Sequence, residues 1–120
     1  MFSFTINQLI ETVRELAKEN PDNIYKNLNN QVLCFYNKGN CLNGTIGCIF
    51  GQAFRKLGID DTTLNNFEYK SIAEIISYNF PNYDSKLVIW CREVQSHQDK
   101  GYSWSESIKE ADKYIEDISV

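Results

Sequence analysis

Four of the six glycines and two of the four cysteines lie in residues 41–60, CLNGTIGCIFGQAFRKLGID, and no other stretch restricts the fold so much. Apolar residues at 49, 50, 53, 54 and 57 keep a helical period, so the spacing predicts a helix from Thr45 to Leu57. Gly58 then serves as its left-handed cap. Ile49, Phe50, Ala53, Phe54 and Leu57 form the core side; Cys48, Gly51, Gln52 and Arg55 take the other. A glycine inside a helix costs about 1 kcal/mol against alanine. Gly47 and Gly51, four apart, therefore imply a close approach by another backbone, a ligand or a second copy of the chain.

The chemistry open to this stretch is limited by its spacing. A Walker loop ends in Gly-Lys-Ser/Thr and a dinucleotide loop needs three glycines after a strand, and NGTIG matches neither. What remains is a helix N-terminus whose free amides face an anion, or an ordinary cap. Cys34, Cys41 and Cys48 fall seven apart, unlike the two- to four-residue spacing of zinc sites, so no metal and no cofactor are expected. Cys48 in the first helical turn, with His97 as the lone histidine, has the outline of a cysteine hydrolase. The plainer reading is buried free cysteines and a solvated histidine near a helix end.

Elsewhere the chain reads as helices. Thr5 and Gln8 make a capping box before Ile6, Leu9, Ile10, Val13, Leu16 and Ala17, and Asn20-Pro21-Asp22-Asn23 ends that helix near Glu19. Gln31–Tyr36 alternates like a strand, and 37–40 is turn chemistry, so a small hairpin returning through Cys41 and Leu42 is expected. Thr62–Phe67 reads as a short helical turn, and Ser71 heads a helix closed by Asn79–Asn82. Asp84 or Ser85 caps the next, whose Leu87, Val88, Trp90, Cys91 and Val94 face inward until Gly101. Ser103 and Glu106 form a second capping box before Ile108, Ala111, Tyr114 and Ile115. The fold class is α+β: a single, mostly α-helical domain over 1–120, with about five helices and a small β-hairpin.

Composition excludes some partners. With 42% hydrophobic residues in 120, the chain can bury its own core. Its net charge is −4 and its Lys and Arg are scattered, so a nucleic-acid polymer is not expected as partner. No stretch is long and apolar enough for a membrane span, which points to a cytoplasmic protein with reduced thiols.

In WCREVQSHQDKGYSWSESIKEA, residues 90–111, Trp104 reads either as a staple at the corner of a helix hairpin or, with Gln95 and Asp99, as part of a pocket. NPDNIY at 20–25, GTIGCIFGQAFRKLGID at 44–60 and VQSHQDKGYSWSESIKEA at 94–111 together resemble an uncharacterised family of small proteins from phages and their bacterial hosts. Phe54, where a smaller aliphatic is usual, and Tyr102-Ser103 before the tryptophan depart mildly from its pattern.

That resemblance implies a small non-enzymatic effector that acts in the host cytoplasm by binding and inhibiting a host defence protein. An alternative is a sponge for a nucleotide immune signal, stacking bases on Tyr25, Tyr36, Tyr78, Tyr83, Tyr102 or Trp104 and holding phosphate at Arg55 and the Gly47 amide. A second alternative is the Cys48–His97 hydrolase. Across these readings the candidate ligand-binding residues are Tyr25, Gly47, Cys48, Gln52, Arg55, Gln95, Asp99 and Trp104. Self-association through the Gly47 and Gly51 side, giving a homo-oligomer, is also expected.

Overall fold

The computed structural model describes residues 2–26 and 35–116. Local chemistry places most elements where the sequence puts them. Thr5 caps α1 (Ile6–Glu19) in a capping box with Gln8, and Ile6, Leu9, Ile10, Val13, Leu16 and Ala17 are its buried face. Asp60 caps α3 (Asp61–Phe67), Ser71 and Glu74 box the start of α4 (Ile72–Asn79), and Asp84 caps α5 (Ser85–Asp99). The Ser103 hydroxyl accepts from the Glu106 amide and donates to its carboxylate, starting α6 (Trp104–Glu116). Six helices and one antiparallel strand pair, among the described residues, make a mostly helical α+β domain.

Two expectations need correction. The central helix α2 spans Ile49–Lys56, not Thr45–Leu57, because Gly47 sits at φ +93 and Cys48 caps the helix in extended geometry. At its other end Gly58 is left-handed as expected; it donates to the Arg55 carbonyl, and Ile59 donates to that of Phe54. The strand pair is likewise not 31–36 with 41–42. Cys41 does pair, but β2 (Asn40–Cys41) runs against β1 (Tyr25–Lys26), Tyr25 opposite Cys41. Phe35 and Tyr36 are irregular, and 31–34 lie outside the described residues. Tyr25 explains the choice: its hydroxyl accepts from the Phe35 amide and donates to the Lys38 carbonyl, so its side chain occupies the inside of the bend.

One core runs through all six helices, with Phe50, Phe54, Trp90, Trp104 and Tyr36 among its largest fully buried side chains. Helices α5 and α6 pack along each other. Arg14 of α1 grips Asp112 of α6 through two hydrogen bonds (2.6 and 3.1 Å) and lies over the Trp90 ring, whose indole N–H also donates to Asp112. The glycines do admit another backbone, and it is the chain's own. A Cβ on Gly51 would stand 2.6 and 2.7 Å from the Tyr36 carbonyl carbon and Cα, and one on Gly47 would strike the Tyr36 carbonyl too. The space at Gly47 and Gly51 is therefore filled by residue 36.

Candidate functional site: a braced loop

Residues 42–46 leave β2, cross the surface and lead to α2, and all five are exposed. Their polar groups are tied down from several directions. Leu42 N donates to the Ile24 carbonyl and Gly44 N to that of Cys41, both at 2.9 Å. Asn43 N donates to Asn23 Oδ1 at 3.1 Å, and the Asn43 amide nitrogen reaches Asn20 Oδ1 at 3.3 Å. Asn43 Oδ1 accepts from Thr45 N (3.0 Å) and Thr45 Oγ1 (2.6 Å). From α2, Gln52 Nε2 donates to Thr45 Oγ1 (2.8 Å) and the Gly47 carbonyl (3.1 Å), while Arg55 Nη1 donates to the Ile46 carbonyl at 3.1 Å. The two aliphatic side chains have no such anchorage: Leu42 is 53% exposed and Ile46 50%. A hollow opens on each flank, one beside Ile46 and one lined by Leu42, Asn43 and residues 20–23.

The candidate residues divide accordingly. Gln52 and Arg55 brace the loop and line the hollow beside Ile46. Tyr25, Gly47, Cys48, Gln95 and Trp104 are buried beneath it and offer no surface to a ligand. Gln95 Oε1 accepts from the Ile72 amide at 2.9 Å and its Nε2 donates to Tyr36 Oη, so it ties the start of α4 to residue 36. Asp99 lies partly buried at the end of α5, where burial lifts its carboxyl to about 7, with a hydrogen bond from Gln98 pulling the other way. The sequence-based pocket of Gln95, Asp99 and Trp104 is thus mostly interior, because Trp104 is fully buried and its amide is spent on the Asn23 carbonyl. Tyr36 is also fully buried, so of the six rings named for base stacking Tyr78, Tyr83 and Tyr102 are the exposed ones.

Of the described cysteines one departs from expectation. Cys48 is disulfide-bonded, whereas Cys41 and Cys91 are free and buried. A disulfide sulfur is no nucleophile, so Cys48 in this state cannot act as the expected thiolate. Its position explains the change of role: as the N-cap of α2 it turns into the interior and not toward the polar side. Burial pushes the Cys91 thiol far up, and also that of Cys41, although Thr45, Asn23 and Gln52 side chains lean on the Cys41 sulfur and lower it. His97 directs Nδ1 at the Glu93 carbonyl (2.8 Å) and packs edge-on to Tyr102.

Segment 94–111 is hydrogen-bonded to both 20–25 and 44–60. Trp104 N donates to the Asn23 carbonyl (2.8 Å), Ser105 N to that of Pro21 (3.0 Å), and Ile49 N to Gln98 Oε1 (2.7 Å). The display of Leu42 and Ile46 was missed, although two aliphatics inside an Asn-Gly-Thr loop are a visible signal. Comparison with protein-family models, curated proteins and solved structures finds no match.

Proposed function

We propose that this chain is a small non-enzymatic effector of phage type that binds, and thereby inhibits, a host defence protein, and that residues 42–46 are its binding element. One observation carries the reading: a loop braced by internal hydrogen bonds while Leu42 and Ile46 stand half exposed. Burying those two side chains against a partner releases apolar surface from water, and a loop already fixed loses little conformational entropy on binding. The burial of Tyr25, Tyr36 and Trp104 counts against the nucleotide sponge.

The test is quantitative capture from host lysate with wild-type protein, a Leu42→Ser/Ile46→Ser variant, and Tyr78→Ser as a surface control. A host protein retained by the wild type and by Tyr78→Ser, lost with the double variant, and impaired in its own activity when bound is the expected result. A set of captured proteins unchanged by the double variant would sink the proposal.

A further inference from the structure

We propose that the hollow beside Ile46 receives an acidic, aliphatic peptide segment of that partner, with its carboxylate on Arg55 and Lys56 and its aliphatic side chain on the half-exposed Ile46. The inference rests on the binding function above and specifies the chemistry of the bound surface. The hollow has a volume of about 450 Å³, enough for two or three side chains. In a chain of net charge −4, two cations and no carboxylate line it among the described residues.

Both cations are positioned but weakly neutralised. Arg55 is fixed by its bond to the Ile46 carbonyl, and its Nε lies 3.5 Å from an exposed Asp61 oxygen. Lys56 Nζ lies 3.8 Å from Glu19, also exposed. Exposed pairs of this kind are worth little, so an incoming carboxylate exchanges for them at small cost. Gln52 and Thr45 are already bonded to each other, which leaves the cations as the charged recognition groups. The half-exposed side chain of Ile46 sets the neighbouring requirement. Among the described residues no aromatic ring lines the hollow, so a nucleotide would find phosphate contacts but no base platform there.

The test is a methyl NMR titration of the full chain with three probes: acetyl-Leu-Glu-Leu-Glu-amide, its lysine-for-glutamate counterpart, and ATP. The acidic peptide is expected to shift the Ile46 methyls, to bind more weakly as salt rises, and to lose about tenfold in affinity in Arg55→Gln/Lys56→Gln. Arg55→Lys, which keeps the charge, should retain most of that affinity and guards against a folding artefact. Equal binding of the lysine peptide, shifts from ATP but not from the acidic peptide, or an affinity indifferent to the charge-removing variant would each overturn the inference. If the acidic peptide fails while Leu42 and Ile46 still govern capture of a host protein, only this inference falls; if that dependence is also absent, the binding function falls with it.

Discussion

The side-chain oxygen of Gln98 lies 2.7 Å from the amide of Ile49, so a residue in the last turn of α5 satisfies the first N–H of α2. One turn earlier, Gln95 does the same for Ile72 of α4. Helix α5 thus holds two other helices by their N-termini from inside the core, where water cannot take over the bond. Replacing Gln98 by Leu leaves the Ile49 amide buried and unpaired, and should lower unfolding free energy by about 2–3 kcal/mol. Gln95→Leu should cost a similar amount. Urea denaturation monitored by circular dichroism checks both.

Gly51 and Gly58 separate two reasons for a glycine. A methyl at Gly51 must displace the Tyr36 backbone, and Gly51→Ala should cost about 3 kcal/mol or prevent folding. Nothing lies within 4 Å of a Cβ at Gly58, so Gly58→Ala bears only the left-handed backbone penalty, about 1 kcal/mol. Similar losses at the two sites would contradict the contact with residue 36.

Two aspartates should respond to pH in opposite senses. The Asp99 carboxyl is raised by burial from its ordinary value to about 7, so the fold favours its neutral form. Its stabilising effect is complete below pH ~4 and is lost as pH climbs toward 7. Asp99→Asn should therefore exceed the wild type in stability at pH 8, by on the order of 2 kcal/mol, and match it near pH 4.

Burial also works on Asp112, but the bonds from Arg14 and Trp90 and the Arg14 charge outweigh it and hold that carboxyl below its usual value. Its contribution is present above pH ~4 and disappears on acidification. Asp112→Asn should be less stable than the wild type at neutral pH, with the gap closing as acid protonates the native residue. Denaturant midpoints for both variants across pH 3–8 would show the crossing trends or their absence.

Asn43 is the principal clamp of the displayed loop. Asn43→Ala removes acceptors from Thr45 and a donor to Asn20, and should raise amide exchange at Thr45 at least about fivefold, with little effect on the melting temperature. Hydrogen exchange read by NMR decides it. Unchanged exchange would mean that Gln52 and Arg55 suffice to hold the loop.

The sequence made the local signals readable. Thr5–Gln8, Ser71, Asp84 and Ser103–Glu106 all start helices where their chemistry says, because a cap is decided within four residues. Gly47 and Gly51 also announced a close backbone, though not whose. What spacing could not supply was anything settled across the core. Arg14 and Asp112 are 98 positions apart, and Gln98 meets Ile49 across 49. The strand pairing went to Tyr25 because of a hydroxyl reaching two backbone groups, which alternation of 31–36 does not reveal. Tyr25, Gln95 and Trp104 looked like ligand contacts because polar and aromatic residues near helix ends serve either purpose; their bonds and burial make them supports.

Both tryptophans are fully buried, yet their indole N–H groups differ: that of Trp90 is bonded to the Asp112 carboxylate, and that of Trp104 has no hydrogen-bond partner among the described residues. The molecule therefore carries a matched pair of intrinsic spectroscopic labels. The Trp90 indole proton should resonate downfield and move as Asp112 titrates, while the Trp104 proton stays upfield and indifferent to acid. Because the Trp104 amide is bonded to Asn23, whose side chain accepts from the Asn43 amide of the loop, a ligand-induced change in its signal would report, without any attached dye, that an event at the surface has reached the interior.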